Sequence, residues 1–383
     1  MPDEPLRVAI LGAGTVGREV VLGLLDPQGD LVERTPPIEV VGVAVRDASP
    51  ARVQLFAKAS GWAESLLTDA PAHLVASPDT DVIVELMGGD EPARTLIAAA
   101  LSAGKSVVTA NKHVIAHYGA ELEAIARRTG AALRFEAAVG GGIPVLGPLA
   151  MDLAANRFVE VRGIVNGTTN FILSAMHEVG QGYADALADA QEAGYAEADP
   201  TADVEGIDAA NKLVILARLA FGAWLDPETI SRAAPRADRH TGAAGITGVS
   251  AEDVAAAQAA DMVLKLVAQA QHGKTRSRDV DGIAAAVVPT LVPGSSSLGR
   301  ISGTDNRIEL DGDPIGKVAF EGPGAGGRAT SSAVLADLLA LARGAGSTWG
   351  ALRPASGPHR ALAMPFRTPE RAYPSGARYP EMA

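Results

Sequence analysis

The chain has 383 residues, a formal net charge of −12 and 47% hydrophobic residues. This length is enough for two domains that each bury a core of their own. The negative charge argues against a nucleic-acid partner, because phosphate backbones require a basic surface. The chain has no cysteine, which excludes disulfides, thiolate metal ligands, iron–sulfur clusters and thiol nucleophiles.

The N-terminal segment MPDEP is short and polar, and a first strand starts directly after it. A secretory leader would need a positively charged region followed by an apolar one. A membrane helix would need a run of about 18 or more apolar residues, and the sequence has no such run. The sequence therefore predicts a cytoplasmic protein without a leader or a membrane span.

Strands and helices alternate through the first 140 residues. The predicted strands are LRVAIL, IEVVGVAVRD, DVIVELMGG, SVVT and ALRFEAAVGGG, and the helices include REVVLGLL, TLIAAALSAG and AELEAIARRTG, the last capped by Gly130. Short apolar runs that alternate with helices are typical of parallel βαβ units covered on both faces. The fold class predicted for residues 1–140 is therefore α/β, a Rossmann-type doubly wound dinucleotide-binding domain.

The pattern changes after GGGIPVLGPL, and residues 141–325 are expected to form an α+β catalytic and dimerisation domain. Its predicted helices lie at about 180–194, 206–221 and 251–272, and its strands are EVRGIVNG, GIAAAVVPTLV and RIELDG. A helix at about 326–345 is expected to return to the first domain and complete it. Residues 346–383 form a Pro- and Arg-rich tail, either disordered or an extended arm on the surface.

The segment GAGTVG follows the first strand and opens a helix, which is the context that the G-x-G-x-x-G motif requires. Gly12 permits the turn, Gly14 lets a pyrophosphate approach, and Gly17 lets helix and strand pack closely. The N–H groups of the first helical turn then bind the diphosphate. Arg46 follows the second strand, where an arginine accommodates the 2′-phosphate of NADP. Asp47 beside it keeps NAD open, so NADP(H) is the preferred and NAD(H) the possible cofactor.

Three apparent sites lack a required residue. His113 and His117 are four residues apart, but Val114 stands where a zinc-protease helix needs glutamate, so we interpret them as an exposed pair at the start of a helix. GSSSLG lacks the spacing of a nucleophile elbow. GPGAGGRA departs from a P-loop at Arg328 and Ala329, where lysine and a hydroxyl are needed.

Residues 195–213, YAEADPTADVEGIDAANKL, place five carboxylates ahead of one lysine, Lys212. Acids are favoured near a helix N-terminus, but that effect accounts for only one or two of them. Asp208 lies four residues before Lys212, so both side chains share one helix face. As a surface ion pair they would contribute only about 0.2–0.5 kcal/mol.

Five stretches, in this order and at these separations, resemble the homoserine dehydrogenase family. They are GAGTVG, ELMGGDEPA with VVTANKH, FEAAVGGGIP with VNGTTNFIL, the acidic stretch, and GPGAGG with TSSAVLADL. The resemblance runs from about residue 6 to 343. It implies NAD(P)-dependent interconversion of L-homoserine and L-aspartate 4-semialdehyde, in the pathway to threonine, methionine and isoleucine. The expected form is short, without a C-terminal regulatory domain or a fused aspartate kinase, and Arg307 stands where relatives usually have a small apolar residue.

The resemblance assigns roles to residues of the acidic stretch. Lys212 matches the proton donor, and a protonated lysine also stabilises the negative charge that develops on the substrate oxygen. Glu197 and Asp208 match the acids that hold the substrate's ammonium group, and Asp203 is a weaker third. The remaining acids of the stretch, Asp199 and Glu205, are expected to be solvated or to cap a helix. Lys112 matches a second active-site lysine at a strand end, where such sheets bind ligands.

The family pattern also implies cofactor and cation contacts. Its cofactor contacts match Thr15, Val16, Lys112, Gly194 and Gly324, and Gly88 is expected near the nicotinamide ribose. The loop EAAVGGGI resembles the family's structural sodium site, whose Na⁺ ligands are largely backbone carbonyls and match Glu136, Val139, Gly141 and Ile143. Hard oxygen donors suit such a cation. A glycine-rich hinge between the domains is the alternative, and the resemblance further implies a homodimer built on the second domain's sheet.

Other functions remain open to test. A semialdehyde dehydrogenase that works through a thiohemiacetal needs a cysteine nucleophile, which this chain lacks. Another NAD(P)-dependent amino-acid dehydrogenase would use the same lysine and carboxylates. A dinucleotide-binding sensor without catalysis would show no turnover, and it would have no reason to keep Lys112, Asp208 and Lys212 together.

Overall fold

The computed structural model of the chain describes residues 4–25, 38–47, 66–233, 242–273, 282–355, 357–363 and 371–372. The chain divides into two compact units. The first comprises Met1–Asp152 and Ala325–Gly357, and the second comprises Leu153–Gly324 and Pro358–Ala383. None of the helices within the described ranges is both long and apolar enough to cross a membrane.

The first unit is built on a parallel sheet of six strands. They are β1 (Leu6–Leu11), β2 (Ile38–Ala44), β3 (Leu67–Thr68), β4 (Val82–Glu85), β5 (Ser106–Thr109) and β6 (Leu133–Arg134). Their order is β3-β2-β1-β4-β5-β6. The order reverses direction between β1 and β4, and ligands of such sheets bind at the carboxyl ends of the strands beside that point. The predicted Rossmann-type fold is confirmed.

Helices cover this sheet. They are α1 (Thr15–Leu25), α2 (Pro71–Ala76), α3 (Ala93–Ser102), α4 (Lys112–Thr129) and α5 (Leu146–Ala150). Gly130 ends α4 in the left-handed conformation, with φ +77°, as its position after ARRT predicts. The later helix Gly327–Ala342 packs on the same core, where Val334 and Leu338 meet strand residues such as Val8.

The second unit is built on an antiparallel sheet. Its strands are β7 (Arg157–Ile164), β8 (Met262–Gly273), β9 (Gly282–Pro293), β10 (Asp305–Asp313), β11 (Gly316–Pro323) and β12 (Arg371–Ala372), in the order β11-β10-β7-β8-β9-β12. Its helices are α6 (Gly167–Val179), α7 (Tyr183–Glu192), α8 (Thr201–Val204), α9 (Ile207–Phe221) and α10 (Ala251–Ala259). Almost every residue of α9 is buried. This helix therefore lacks the broad solvent-exposed face of an amphipathic surface helix.

The sequence interpretation of residues 251–272 as one helix was wrong. The helix ends at Ala259, Asp261 adopts the left-handed conformation with φ +55°, and β8 begins at Met262. Alanine-rich sequence favours a helix and is depleted in strands. Here the pairing of β8 with β7 on one side and β9 on the other overrides that local preference.

Candidate active site

The glycine loop between β1 and α1 has the geometry that its motif predicts. Gly12 has φ +102°, and a Cβ atom there would lie 2.7 Å from the carbonyl oxygen of Leu86. A Cβ at Gly17 would lie 1.9 Å from the carbonyl oxygen of Gly12, whereas one at Gly14 would meet nothing within 4 Å. The helix begins at Thr15, and the N–H groups of a first helical turn, including that of Val16, have no partner within the helix. This loop can receive a diphosphate.

Two further positions lie at the carboxyl edge of the same sheet. Arg46 is exposed, two residues beyond the end of β2, and Asp47 next to it is also exposed. Lys112 is the first residue of α4, follows β5 closely, and is half-buried. His113 and His117 stack with ring centroids 4.2 Å apart, and both are half-buried rather than exposed as expected. The sheet edge therefore presents a guanidinium and an ammonium group.

Lys212 and Asp208 form a buried ion pair on α9. The Nζ atom of Lys212 lies 2.7 Å from Oδ2 of Asp208 and donates a hydrogen bond of 2.6 Å to the carbonyl oxygen of Val165. Asp208 is 6% exposed and Lys212 is 8% exposed. The interpretation as a surface ion pair is thereby excluded. Removing one partner of a buried pair leaves an uncompensated charge, which costs about 3–5 kcal/mol.

Asn166 joins this pair to a second acid, Asp203. Its Nδ2 atom donates to Oδ1 of Asp203 at 2.7 Å and to Oδ2 of Asp208 at 2.9 Å. Its Oδ1 atom accepts hydrogen bonds of 2.9 Å from both the N–H and the hydroxyl of Thr169 and so caps α6. Sequence reasoning missed Asn166, although an asparagine just ahead of a helical segment is a recognisable N-cap signal.

The other acids of the stretch separate into different environments. Glu197 is exposed, and its carbonyl oxygen accepts a 3.0 Å hydrogen bond from the side chain of Gln191. Asp199 accepts from the N–H and the hydroxyl of Thr201 at the start of α8, and these bonds lower the pKa of its carboxyl group. Glu205 lies 3.7 Å from Arg232. Asp199 is exposed and bonds to the first residue of α8 from one position ahead of the N-cap residue, Pro200.

Gly194 and Tyr195 lead into this stretch. Gly194 is exposed with φ +75°, a conformation that favours glycine. The hydroxyl of Thr168, on the first turn of α6, donates a 2.7 Å hydrogen bond to the carbonyl oxygen of Tyr195, whose ring lies 5.0 Å from that of Phe171. These contacts tie the turn before Glu197 to the start of α6.

The loop after β6 surrounds the carboxylate of Glu136. Its Oε1 atom accepts from the N–H groups of Val145 and Leu146, both at 2.8 Å, and its Oε2 atom accepts from that of Gly147 at 2.6 Å. Burial is the main cause that raises the pKa of Glu136. Its side chain is therefore bonded to the start of α5, and its carbonyl oxygen accepts a 3.4 Å hydrogen bond from the N–H of Val139.

Backbone carbonyl oxygens are the ligands that this loop could provide to a cation. Val139, Gly141 and Ile143 are buried, and within the described part of the chain no hydrogen bond ends on their carbonyl oxygens. Buried carbonyls normally have a partner. Across the same ranges no group of three or more His, Cys, Asp or Glu side chains could hold a metal ion. Carbonyl oxygens are hard ligands that could hold a cation.

Gly324 packs directly against Asn306. A Cβ atom at Gly324 would lie 2.0 Å from Nδ2 of Asn306, so no larger residue fits there without a shift. Asn306 is 0% exposed, and neither polar atom of its amide has a hydrogen-bond partner in the described structure. In the next position, Arg307 donates to Glu309 at 2.8 Å and to Glu321 at 2.6 Å, which gives this residue a structural role in the sheet.

Comparison with known proteins shows which family the chain resembles. The model of the family described as "Homoserine dehydrogenase" matches residues 144–339, and that of its NAD-binding domain matches residues 12–136. A homoserine dehydrogenase from Corynebacterium glutamicum is 44% identical over 343 residues, which cover 89% of this chain and 73% of the relative. One from Synechocystis is 43% identical over 338 residues, covering 87% of this chain and 72% of the relative.

Solved structures agree with the sequences. A homoserine dehydrogenase from Thiobacillus denitrificans superposes with a TM-score of 0.83 at 37% identity, covering 94% of this chain and 80% of that one. A hyperthermophilic archaeal homoserine dehydrogenase in complex with NADPH gives a TM-score of 0.68 at 27% identity, covering 88% of this chain and 97% of that one. The chain therefore belongs to the homoserine dehydrogenase family of NAD(P)-dependent oxidoreductases, which act on a CH–OH group.

Proposed function

We propose that this chain interconverts L-homoserine and L-aspartate 4-semialdehyde, with Lys212 as the proton donor and NADP(H) as the preferred cofactor. The observation that carries the proposal is the buried ammonium of Lys212, held between the carboxylate of Asp208 and the carbonyl oxygen of Val165. An ammonium group is a hydrogen-bond donor only, and a positioned donor can give a proton to an alkoxide as it forms. These contacts support Lys212 as the proton donor.

The geometry at Lys212 leaves one donor for the substrate. An ammonium group has three donors, and the contacts to Asp208 and Val165 use two of them. A bound nicotinamide cofactor would supply hydride transfer to the aldehyde carbon. In the reductive direction the third N–H of Lys212 would give its proton to the developing alkoxide. In the oxidative direction Nζ takes that proton back from the hydroxyl. A fixed charge near the alkoxide also stabilises the transition state.

The acids around Lys212 would bind the substrate's ammonium group. Glu197 presents its exposed carboxylate for this contact, and Asp208 and Asp203 add negative charge that Asn166 fixes in place. Binding the ammonium group orients the reacting carbon, which is the purpose of such remote contacts. Lys112 is proposed as the second active-site lysine, in contact with substrate and cofactor.

The first unit would hold most of the dinucleotide. Gly12, Gly14 and Gly17 shape the loop that receives the diphosphate, with N–H donors from Thr15 and Val16. Arg46 would bind the 2′-phosphate of NADP. The archaeal relative was solved in complex with NADPH, which supports this preference. Gly194 and Gly324 are proposed as further cofactor contacts on the basis of the family pattern.

A structural sodium ion is proposed in the loop after β6. The carbonyl oxygens of Glu136, Val139, Gly141 and Ile143 would bind it. Support comes from the burial of these residues and from the shortage of hydrogen-bond donors toward the last three among the described residues. The ion would stabilise the loop and take no part in the chemistry.

The proposal also covers the localisation, the oligomeric state and the pathway of the enzyme. We expect a cytoplasmic homodimer built on the sheet of the second unit, working in the biosynthesis of threonine, methionine and isoleucine. The resemblance of the chain to the family supports these expectations. A molar mass from light scattering that equals one chain would contradict the dimer.

Activity and cofactor choice can be tested together. Purified protein is given L-homoserine with NADP⁺ or NAD⁺ at alkaline pH, and formation of the reduced cofactor is followed by absorbance. We expect turnover with both cofactors and a higher kcat/KM with NADP⁺. Arg46→Ala should raise KM for NADP⁺ about tenfold or more, with little change for NAD⁺, because only the 2′-phosphate contact is lost.

The exposed Arg128 on α4 provides the matched control, since Arg128→Ala removes the same charge from the same unit. Equal weakening of both cofactors by Arg46→Ala would refute its assigned contact. Turnover of a different amino alcohol or amino acid, with none of homoserine, would contradict the assigned substrate.

A further inference from the structure

The fully buried carboxylate of Glu85, at the end of β4, has no role in the chemistry proposed above. Glu85 is 0% exposed. Its Oε1 atom accepts from the N–H groups of Met87 at 2.8 Å and Gly88 at 3.2 Å, and its Oε2 atom accepts from the hydroxyl of Thr109 at 2.6 Å. Burying a carboxylate is costly unless its oxygens are satisfied, and here all three contacts are hydrogen-bond donors.

These contacts continue into the neighbouring strand and loop. Thr109 is the register partner of Glu85 in the β4–β5 pair. The Thr109 hydroxyl oxygen accepts from the N–H of Asn111 at 2.9 Å. Asn111 in turn donates from Nδ2 to the carbonyl oxygen of Gly89 at 2.8 Å. The bonds therefore form a closed ring that links the loop after β4 to the loop after β5.

Asn111 also sets the start of α4. Its Oδ1 atom accepts a 3.1 Å hydrogen bond from the N–H of Val114, which makes Asn111 the N-cap of the helix whose first residue is Lys112. The position of the Lys112 backbone is thus fixed by a residue that is itself bonded to Gly89. Gly88 and Gly89 have φ +71° and +73°, so their loop depends on such outside contacts for its shape.

The ring also determines which groups the two loops can bind. At the loop of Gly12–Gly17 the first N–H groups of α1 are available to a diphosphate. In the loop after β4, the N–H groups of Met87 and Gly88 are turned inward to Glu85. An anion there would not find these two N–H groups free, because both are bonded to Glu85. The loop after β4 therefore suits the uncharged parts of a dinucleotide.

We infer that Glu85, Thr109 and Asn111 are positioning residues that hold the Gly88–Gly89 loop and Lys112 in register for the nicotinamide half of the cofactor and the substrate. The inference rests on the role proposed for Lys112 and on the expectation from the sequence that Gly88 lies near the nicotinamide ribose. It leaves the binding of the adenosine and diphosphate half to the glycine loop and Arg46. Loss of the ring should consequently affect catalysis and nicotinamide placement without affecting ADP.

Thr109 offers the sharpest test, because Thr109→Val removes the hydroxyl at nearly constant shape and Thr109→Ser keeps it. The full-length enzyme and both variants are assayed for kcat with L-homoserine at saturating cofactor and for Kd of ADP, and their melting temperatures are recorded. We expect Thr109→Val to lower kcat about tenfold or more, since small misplacements of reacting groups are costly. Its Kd for ADP should stay within about twofold of wild type, and Thr109→Ser should restore most of kcat.

A second variant, Glu85→Gln, removes the charge and places an amide N–H₂ where an acceptor is needed. It should lower kcat in the same way, with ADP affinity again kept. If Thr109→Val retains wild-type kcat, or if ADP and the full cofactor weaken in parallel, the positioning role is wrong. Absence of homoserine turnover in the wild-type enzyme would instead overturn the proposed substrate, so the two failures are distinguishable.

Discussion

Two buried lysines of the second unit have opposite electrostatic surroundings. Lys212 pairs with the carboxylate of Asp208. Lys265 is 4% exposed and donates to neutral acceptors, the side chains of Asn170 at 3.0 Å and Ser174 at 3.3 Å and a backbone carbonyl. Burial lowers the pKa of Lys265 to about 8 from its ordinary 10.5. The ammonium group of Lys265 is therefore held by neutral acceptors, whereas that of Lys212 pairs with a negatively charged carboxylate.

The lowered pKa of Lys265 makes stability depend on pH. Between about pH 8 and 10.5 the unfolded chain holds a proton on this lysine that the folded chain has lost, so unfolding becomes less favourable as pH rises through this window. We expect the stability of the wild type, relative to Lys265→Met, to increase by roughly 1–3 kcal/mol between pH 7.5 and 10. Urea unfolding of both proteins at the two pH values measures this difference. A constant difference would mean that Lys265 titrates normally in the fold.

Glu197 is expected to act on substrate binding alone. Glu197→Gln removes the negative charge that would hold the substrate's ammonium group, and we expect KM for L-homoserine to rise about tenfold or more with kcat much less affected. Glu192→Gln, an exposed acid at the end of α7, makes the same change a few residues away and should leave KM unchanged. Steady-state kinetics of both variants measure this effect. An unchanged KM for Glu197→Gln would mean that Glu197 does not bind the substrate.

Sequence spacing predicts part of the site and misses the rest. The i, i+4 spacing places Asp208 and Lys212 on one helix face, as the structure confirms. Their burial could not be read from that spacing, because it comes from α9 packing on the sheet. Likewise, the contacts from Val165 and Asn166 come from residues about 40 positions earlier in the chain. Local patterns do not reveal such long-range partners.

At the scale of elements, the turn from β1 into α1 is the most tightly constrained connection. Gly17→Ala would place a Cβ atom 1.9 Å from the carbonyl oxygen of Gly12, so the turn must open. We expect a loss of stability of about 1–3 kcal/mol, together with a loss of NADP⁺ affinity. Gly14→Ala is the control for the fold, because a Cβ there meets nothing within 4 Å. Thermal unfolding compares the two, and equal melting temperatures would contradict the proposed constraint.

Elements of the two units differ in how well local sequence predicts them. In the first unit, apolar runs such as those of β1, β4 and β5 alternate with helices, and the parallel sheet follows from that pattern. In the second unit, β8 begins within an alanine-rich segment that favours a helix, and α6 follows a strand with only an asparagine cap as a signal. Long-range strand pairing decides these elements, and sequence-local preferences do not contain it.

At the scale of the molecule, the described parts of the C-terminal tail are held at a few residues, although most of their positions are exposed. In the first unit, the buried ring of Trp349 lies 6.0 Å from that of Phe135. In the second unit, Leu362 donates to the carbonyl oxygen of Ile283 and accepts from the N–H of Ala285, so it continues the hydrogen bonding at an edge of β9. Of the two alternatives for the tail, an extended arm fits these segments. Composition alone could not distinguish a disordered tail from an extended arm, because proline and arginine are common in both.

The whole account depends on the role of Lys212, since the hydride transfer needs a proton at the same moment. The most direct test compares kcat for L-homoserine oxidation by the wild type and by Lys212→Met, a change that removes the ammonium but keeps most of the buried volume. We predict a fall in kcat of about a thousandfold or more, with the Kd for NADP⁺ near that of the wild type, because the lost interaction acts in the transition state. Melting temperatures of both proteins show that the variant is folded. A folded Lys212→Met enzyme with near wild-type kcat would contradict the assignment of the proton donor.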